Sequence, residues 1–256
     1  MASTSGLTST NTTKSKSSVS ETGHAKNLAN ANLLNTYILQ LGATYNPSNP
    51  NLLLANLQSI YTTCNTHQNA VNTSVAPYTF AVDEREAIFA PVNKKVTVIR
   101  KVYKSTEGVT PAQMEDFMTI ARKIKGTRKT ATAPTTDATE AQTQHSTSQL
   151  SYDQRTNNYG LLISQLQNTP NYNPNETEFK IATLQAEQNA MLQATQNVAN
   201  TFVPLNSARA NRNNSFYLSE NNLVDTFNKA KDYLSTILDS KSVQYKAIAK
   251  IKFKKA

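Results

Sequence analysis

The sequence predicts an all-α fold: two tandem antiparallel helical bundles of four to five helices each, arising from an internal duplication, with a disordered N-terminal tail and a flexible linker. Three observations predict it. Residues recur in one register at a fixed offset of 127 positions. Apolar residues fall at steps of three and four along every long segment. Only six of 256 residues are glycine, too few for a sheet-rich fold with many tight turns or for glycine-lined phosphate loops.

The register is the strongest of these. The stretch "TYNPSNPNLLLANLQ" at 44–58 returns as "NYNPNETEFKIATLQ" at 171–185. Without any gap, Asn30 and Leu34 match Asn157 and Leu161, and Tyr45, Asn46 and Pro47 match Tyr172, Asn173 and Pro174. Val71, Pro77, Ala81, Arg85 and Phe89 match Val198, Pro204, Ala208, Arg212 and Phe216, and Lys123-Ile124-Lys125 match Lys250-Ile251-Lys252. We read two diverged copies, with helical bundles over 24–125 and 151–256. The period is too long for a solenoid, so each copy is expected to form a small domain. Residues 1–22 and 126–149 are rich in Thr, Ser, Ala and Gln and nearly free of large apolar groups. They bury too little to offset their ordering entropy, so a disordered tail and a flexible linker are expected there.

Taken in order, the first element of copy one spans about 25–41, with Leu28, Leu34, Ile38 and Leu41 on one face and Gly42 as its stop. The Asn-Pro pairs that follow push the chain out of the helical region and make a turn. The second helix carries Leu54, Leu57, Tyr61, Cys64, Val71 and Val75 at helical steps. Its counterpart carries Ile181, Leu184, Met191, Val198 and Phe202, and Pro77 and Pro204 are expected to end or kink the two helices. The third segment continues through Ala81, Arg85, Phe89, Val92, Val96, Ile99 and Tyr103. A break is expected at Pro91 and at the equivalent "NRNNSFYLSENN", where Ser219 is a candidate N-cap. The last helix opens on Thr110, Pro111 and Gln113, a capping box with proline at the first position. It runs through Met114, Phe117, Ala121 and Ile124, and its counterpart through Val243, Ala247 and Ile251.

The net charge is +9, and its placement says more than its size. Residues 94–130 hold ten basic and three acidic side chains, and residues 229–256 hold eight and two. These are the ends of the two copies. Arg122, Lys123, Lys125, Arg128 and Lys129 in the first, and Lys250, Lys252, Lys254 and Lys255 in the second, are candidate contacts for phosphate backbones or acidic surfaces. Lysines at a helix C-terminus also complement the macrodipole, which competes as an explanation. No aromatic platform or recognition-helix pattern accompanies them.

Other chemistry-bearing residues are sparse. Cys64 and His67 are one helical turn apart, but two ligands do not close a metal site, and His24 and His145 lie in or beside polar segments. A heptad core position is the reverse of the exposed, electropositive setting a nucleophilic cysteine needs. In "DERE" at 83–86, copy two keeps only the arginine, so a solvated charged face is expected rather than acid–base catalysis. Arg85 and Arg212 sit on the apolar stripe of both copies, where an arginine must snorkel or find a partner, and a structural clamp is expected. No catalytic residue, metal site or cofactor is assigned.

The runs "GHAKN" at 23–27, "GATYNP" at 42–47, "DEREAIFAPVNKKVT" at 83–97 and "ARKIKGTRK" at 121–129 resemble a family of uncharacterised bacterial tandem helical-bundle proteins. That family has a His-Ala-Lys-Asn start, a Tyr-Asn-Pro turn, an Arg-Glu pair before a Phe-x-Pro-Leu run, and a basic end. The chain departs from it at Val92, where leucine is expected, and copy two lacks the Pro91 and "GHAKN" elements. The resemblance implies a helical tandem architecture and no activity.

The first expectation for function is a non-enzymatic interaction or structural protein that presents two related bundles to a protein partner or to copies of itself. The second is non-specific nucleic-acid binding through the basic ends, and the third a membrane-active helical protein. No stretch is long and apolar enough for an integral membrane segment. The first residues have no apolar core of a Sec-type signal peptide, so a soluble, cytoplasmic protein is the default expectation.

Overall fold

The computed structural model describes residues 23–127 and 150–255. Those residues are overwhelmingly helical, and no strand occurs among them. The all-α class therefore holds. The helices are α1 (His24–Leu41), α2 (Leu54–Phe89), α3 (Val92–Ser105), α4 (Pro111–Lys125), α5 (Tyr152–Gln167), α6 (Ile181–Asn213), α7 (Leu223–Ile237) and α8 (Val243–Ala249). Short 3-10 turns occupy Gly42–Thr44, Pro50–Leu52 and Thr177–Phe179, and a π-helical turn spans Asn214–Leu218. The tail expected at 1–22 and nearly all of the linker expected at 126–149 lie outside the described residues.

The chain forms two compact units. One takes the residues up to Asn69 together with those from Arg209 onward, and the other is Ala70–Ala208. The boundaries expected from the sequence, 24–125 and 151–256, cut across both. The physical reason lies in α2 and α6. Pro77 and Pro204 stand inside these helices and do not end them. Both prolines are exposed, so the carbonyl that each deprives of its helical partner can turn to water. At 36 residues, α2 is about 54 Å long, nearly twice the ~30 Å span of a small domain. A helix of that length belongs to more than one unit.

The first unit is built from α1, the start of α2, the π turn, α7, α8 and the residues after it. Leu34 and Ile38 of α1, Leu57 and Cys64 of α2, Phe216, and Phe227 and Leu234 of α7 share its core. Asn222 caps α7 by accepting from Asp225 N–H at 2.9 Å. It takes the role expected of Ser219, because the π turn carries the chain three residues further before a helix can restart. The last helix of this unit is also shorter than expected. Val243 opens α8 but is 84% exposed, and Ile251 lies beyond the helix end. Residues 251–255 run on without helix, and Ile251 and Phe253 are buried while Lys250, Lys252 and Lys254 are exposed. That is the period of two of an extended segment. Side chains of α1 hold it: Asn27 Nδ2 donates to Lys254 O and Asn30 Nδ2 to Lys252 O, both at 2.8 Å. The Lys231 ammonium donates to the Ile251 carbonyl.

The second unit holds the rest of α2, then α3, α4, α5 and α6 as far as Ala208. The α3–α4 hairpin is set by Thr110, whose hydroxyl accepts from Gln113 N–H while the Gln113 side chain accepts from Thr110 N–H. This is the expected capping box. Gly126 ends α4 at φ +70°, a left-handed cap that a Cβ would strain. The core places Phe89, Val96, Ile99, Tyr103, Phe117 and Ile124 against Tyr159, Leu162, Leu184 and Met191. Tyr103 stacks on Phe117 with centroids 5.0 Å apart, and its hydroxyl meets Thr169 Oγ1 at 3.1 Å. A smaller cluster of Val71, Leu205 and Ala208 lies between α2 and α6, with Tyr78 against it.

Each unit thus needs residues from both sides of 128–149. A protease site placed in that segment and cut is expected to leave the two fragments co-eluting as one species on native size-exclusion chromatography. They should separate only in denaturant. Fragments that part under native conditions would show that the units do not hold the halves together.

Candidate functional site

The two Tyr-Asn-Pro turns have the same internal latch. Tyr45 Oη donates to the Leu52 carbonyl at 2.9 Å, and Tyr172 Oη to the Phe179 carbonyl at 3.0 Å. Burial pushes both phenols up to about 12, with Tyr233 adding to the effect on Tyr45. Each hydroxyl therefore keeps its proton and remains a donor. Pro47 is buried, whereas Asn46 and Asn173 are exposed. The tyrosine hydroxyls are used within the chain, which gives the repeated turn a structural task.

The two stripe arginines meet aromatic rings. The Arg85 guanidinium stacks 3.9 Å from the centre of the Tyr152 ring, and the same ring meets Phe89 edge-on at 4.8 Å. In the first unit, Arg212 donates to Asn213 Oδ1 at 3.1 Å, and Phe216 meets the His24 ring edge-on at 5.0 Å. Burial and then the Arg212 charge lower the His24 pKa. In the second unit Arg85 and Phe89 of α2 both meet the ring of Tyr152 at the start of α5, and in the first Phe216 of the π turn meets the ring of His24 at the start of α1.

The basic ends differ from one another. Arg122, Lys123 and Lys125 occupy the last turn of α4, where the dipole favours them. Arg122 is tied to Glu115 at 3.0 Å and to Thr119. Lys125 donates to Thr97 Oγ1 at 2.5 Å, and burial and then Arg100 lower its pKa. Among the described residues neither Arg100 nor Lys125 has a carboxylate partner; Arg100 points at the Met118 sulfur at 3.9 Å. Lys250 caps the end of α8, whereas Lys252, Lys254 and Lys255 do not end a helix as expected. These three line the extended segment, with Lys255 3.3 Å from Asp225. Helical reading of "KIKFKKA" overlooked its alternation. Arg128 and Lys129 lie outside the described residues.

Cys64 is buried, its sulfur 3.5 Å from Ser215 O, and burial pushes its thiol up to about 11. His67 Nδ1 meets Ser215 Oγ at 3.0 Å. Among the described residues no three His, Cys, Asp or Glu side chains are grouped to hold a metal ion. Asp83, Glu84 and Glu86 are exposed, as expected of a solvated face.

Sequence reasoning missed one feature of the second unit. A cavity of about 300 Å³ is lined by Ile88, Pro91, Val92, Ala190 and Met191, with Lys95, Glu187 and Tyr159 at its polar wall. Lys95 Nζ is 2.8 Å from Glu187 Oε1, and Tyr159 Oη donates to Glu187 Oε2 at 2.6 Å. Burial, then the bond to Glu187, raises the Tyr159 pKa strongly. A signal existed: 127 positions away, the equivalents of Tyr159, Glu187 and Lys95 are Asn32, Ile60 and Asn222, none of them ionisable.

The chain matches no family model, no curated protein and no solved structure.

Two outcomes follow from these environments. Cys64 is expected to resist alkylation at pH 8 in the native protein and to react fully in denaturant, because only a small thiolate fraction exists below its raised pKa. Native-state labelling as fast as that of a free thiol would contradict its burial. For His24, the unfolded chain binds the proton first as pH falls below 6.5. Stability is therefore expected to fall between pH 6.5 and the lowered folded value, and H24Q should flatten that limb in denaturant melts read across pH.

Proposed function

We propose that the protein is a non-enzymatic interaction or structural protein, which engages a protein partner or further copies of itself through an apolar face of the second unit. The observation that carries this is the exposure of Phe202 and Val75 beside the thin cluster of Val71, Leu205 and Ala208. Phe202 is 45% exposed, and Val75, one helical turn after Val71, is 41% exposed. The Phe202 ring lies 5.8 Å from that of Tyr78, so the exposed groups continue the cluster outward. Apolar groups gathered at one place on a surface mark interaction sites more often than single exposed residues do.

The tandem duplication is part of the same reading. It is supported by the matched bounds of the turns Pro50–Leu52 and Thr177–Phe179, which are 127 positions apart, and by the matched starts of α2 and α6. The paired tyrosine latches and the paired ring contacts of Phe89 and Phe216 support it further. Each unit then joins the first part of one copy to the second part of the other, and the two related surfaces are bound into one chain.

A second reading is favoured by Arg100 and Lys125, two cations held near each other with no carboxylate partner among the described residues. An anion such as a phosphate backbone would relieve them, and binding would be non-specific and strongly salt-dependent. Against the membrane-active reading, no helix among the described residues is long and apolar enough to cross a membrane.

Light scattering at low and high salt, with and without a DNA duplex, separates these. Under the first reading, a discrete assembly persists at high salt, and V75S/F202S weakens it at least tenfold. A monomer that shifts onto DNA only at low salt, and loses the shift in R100A/K125A, would replace it with the second.

A further inference from the structure

We propose that the cavity beside α3, α5 and α6 in the second unit is a binding site for a small apolar molecule with an uncharged hydroxyl or amide head. The argument begins with size. About 300 Å³ is room for on the order of ten waters, at the lower end of ligand cavities. Ile88, Val92 and Met191 make its wall apolar, so water inside is poorly held and an apolar body displaces it favourably.

The head group follows from the polar wall. Glu187 accepts from Lys95 at one oxygen and from Tyr159 at the other. The Lys95 charge also lies 5.5 Å from the Phe179 ring. Lys95 and Glu187 cancel each other's charge, so a charged ligand would lose its hydration without gaining a net counter-charge. What remains is directional: ammonium N–H donors next to carboxylate lone pairs. A hydroxyl or primary amide, donor and acceptor at once, satisfies both.

At the positions 127 residues away, the ionisable trio is absent. Asn222 there is committed to capping α7, and Cys64 stands where Met191 does, packed against Ser215. The trio belongs to the second unit, where it forms the polar wall of the cavity.

Four methionines in the chain give a direct readout. Met191 lines the cavity, whereas Met114 and Met118 on α4 do not. The full chain, labelled with ¹³C at the methionine methyls, would be titrated with benzyl alcohol, benzoate and benzylamine. Benzyl alcohol is expected to shift the Met191 methyl saturably, leave Met114 and Met118 in place, and bind about tenfold more tightly than either charged probe. K95M should weaken it about tenfold, and A190F at the mouth should abolish the shift while leaving the α4 methyls as they were. A linear or uniform shift of all methyls, equal binding of the three probes, tighter binding of a charged one, or persistence in A190F would each overturn the assignment.

Discussion

The continuity of α2 and α6 is the constraint on which the rest of the structure depends. Each helix passes through a proline without stopping, and each is longer than a small bundle can bury. Their two ends must therefore be covered by different partners. The start of α2 packs with α7 and the π turn, and its far end with α3, α5 and α6. Had Pro77 and Pro204 broken their helices, each half of the chain would have been free to close on itself. Proline costs a helix about 3 kcal/mol in its interior, and here the surface position and the packing on both sides of the break carry that cost.

The ring contacts at α1 and α5 follow from the same constraint. Phe89 ends α2 and Phe216 lies in the π turn that follows α6, and each finds the first turn of a helix from the other half. One unit completes the arrangement with Arg85 stacked on Tyr152, the other with His24 and Arg212. The two places share a ring contact and differ in the charged group beside it. The tyrosine latches, by contrast, are the same in both places, because a phenol donating to a carbonyl seven residues on leaves little room for substitution.

Much of this was legible in the sequence. The heptad line Leu57, Cys64, Val71 and its equivalent Leu184, Met191, Val198 is buried throughout, and the capping box at Thr110 stands as read. These are local signals, and local signals report local structure. What the sequence withheld was the pairing of the halves, since an amphipathic stripe says that a face is buried but not against which helix. The alternation in "KIKFKKA" was readable but was eclipsed by the helical match of its first three residues to Lys123-Ile124-Lys125. The Lys95–Glu187–Tyr159 group was hidden for a different reason: its members lie up to 92 residues apart, and only the fold brings them to one wall.

The extended segment that closes the first unit has a consequence for how the chain assembles. Asn27 and Lys254 meet across a separation of 227 residues, whereas the second unit is one continuous stretch. Closing so long a loop early is unfavourable, and contacts of high sequence separation form late. On the ribosome, every residue of the second unit emerges before those that seal the first. α1 can meet the start of α2 at once, but its contacts with α7 and the final segment come only after the second unit has been made.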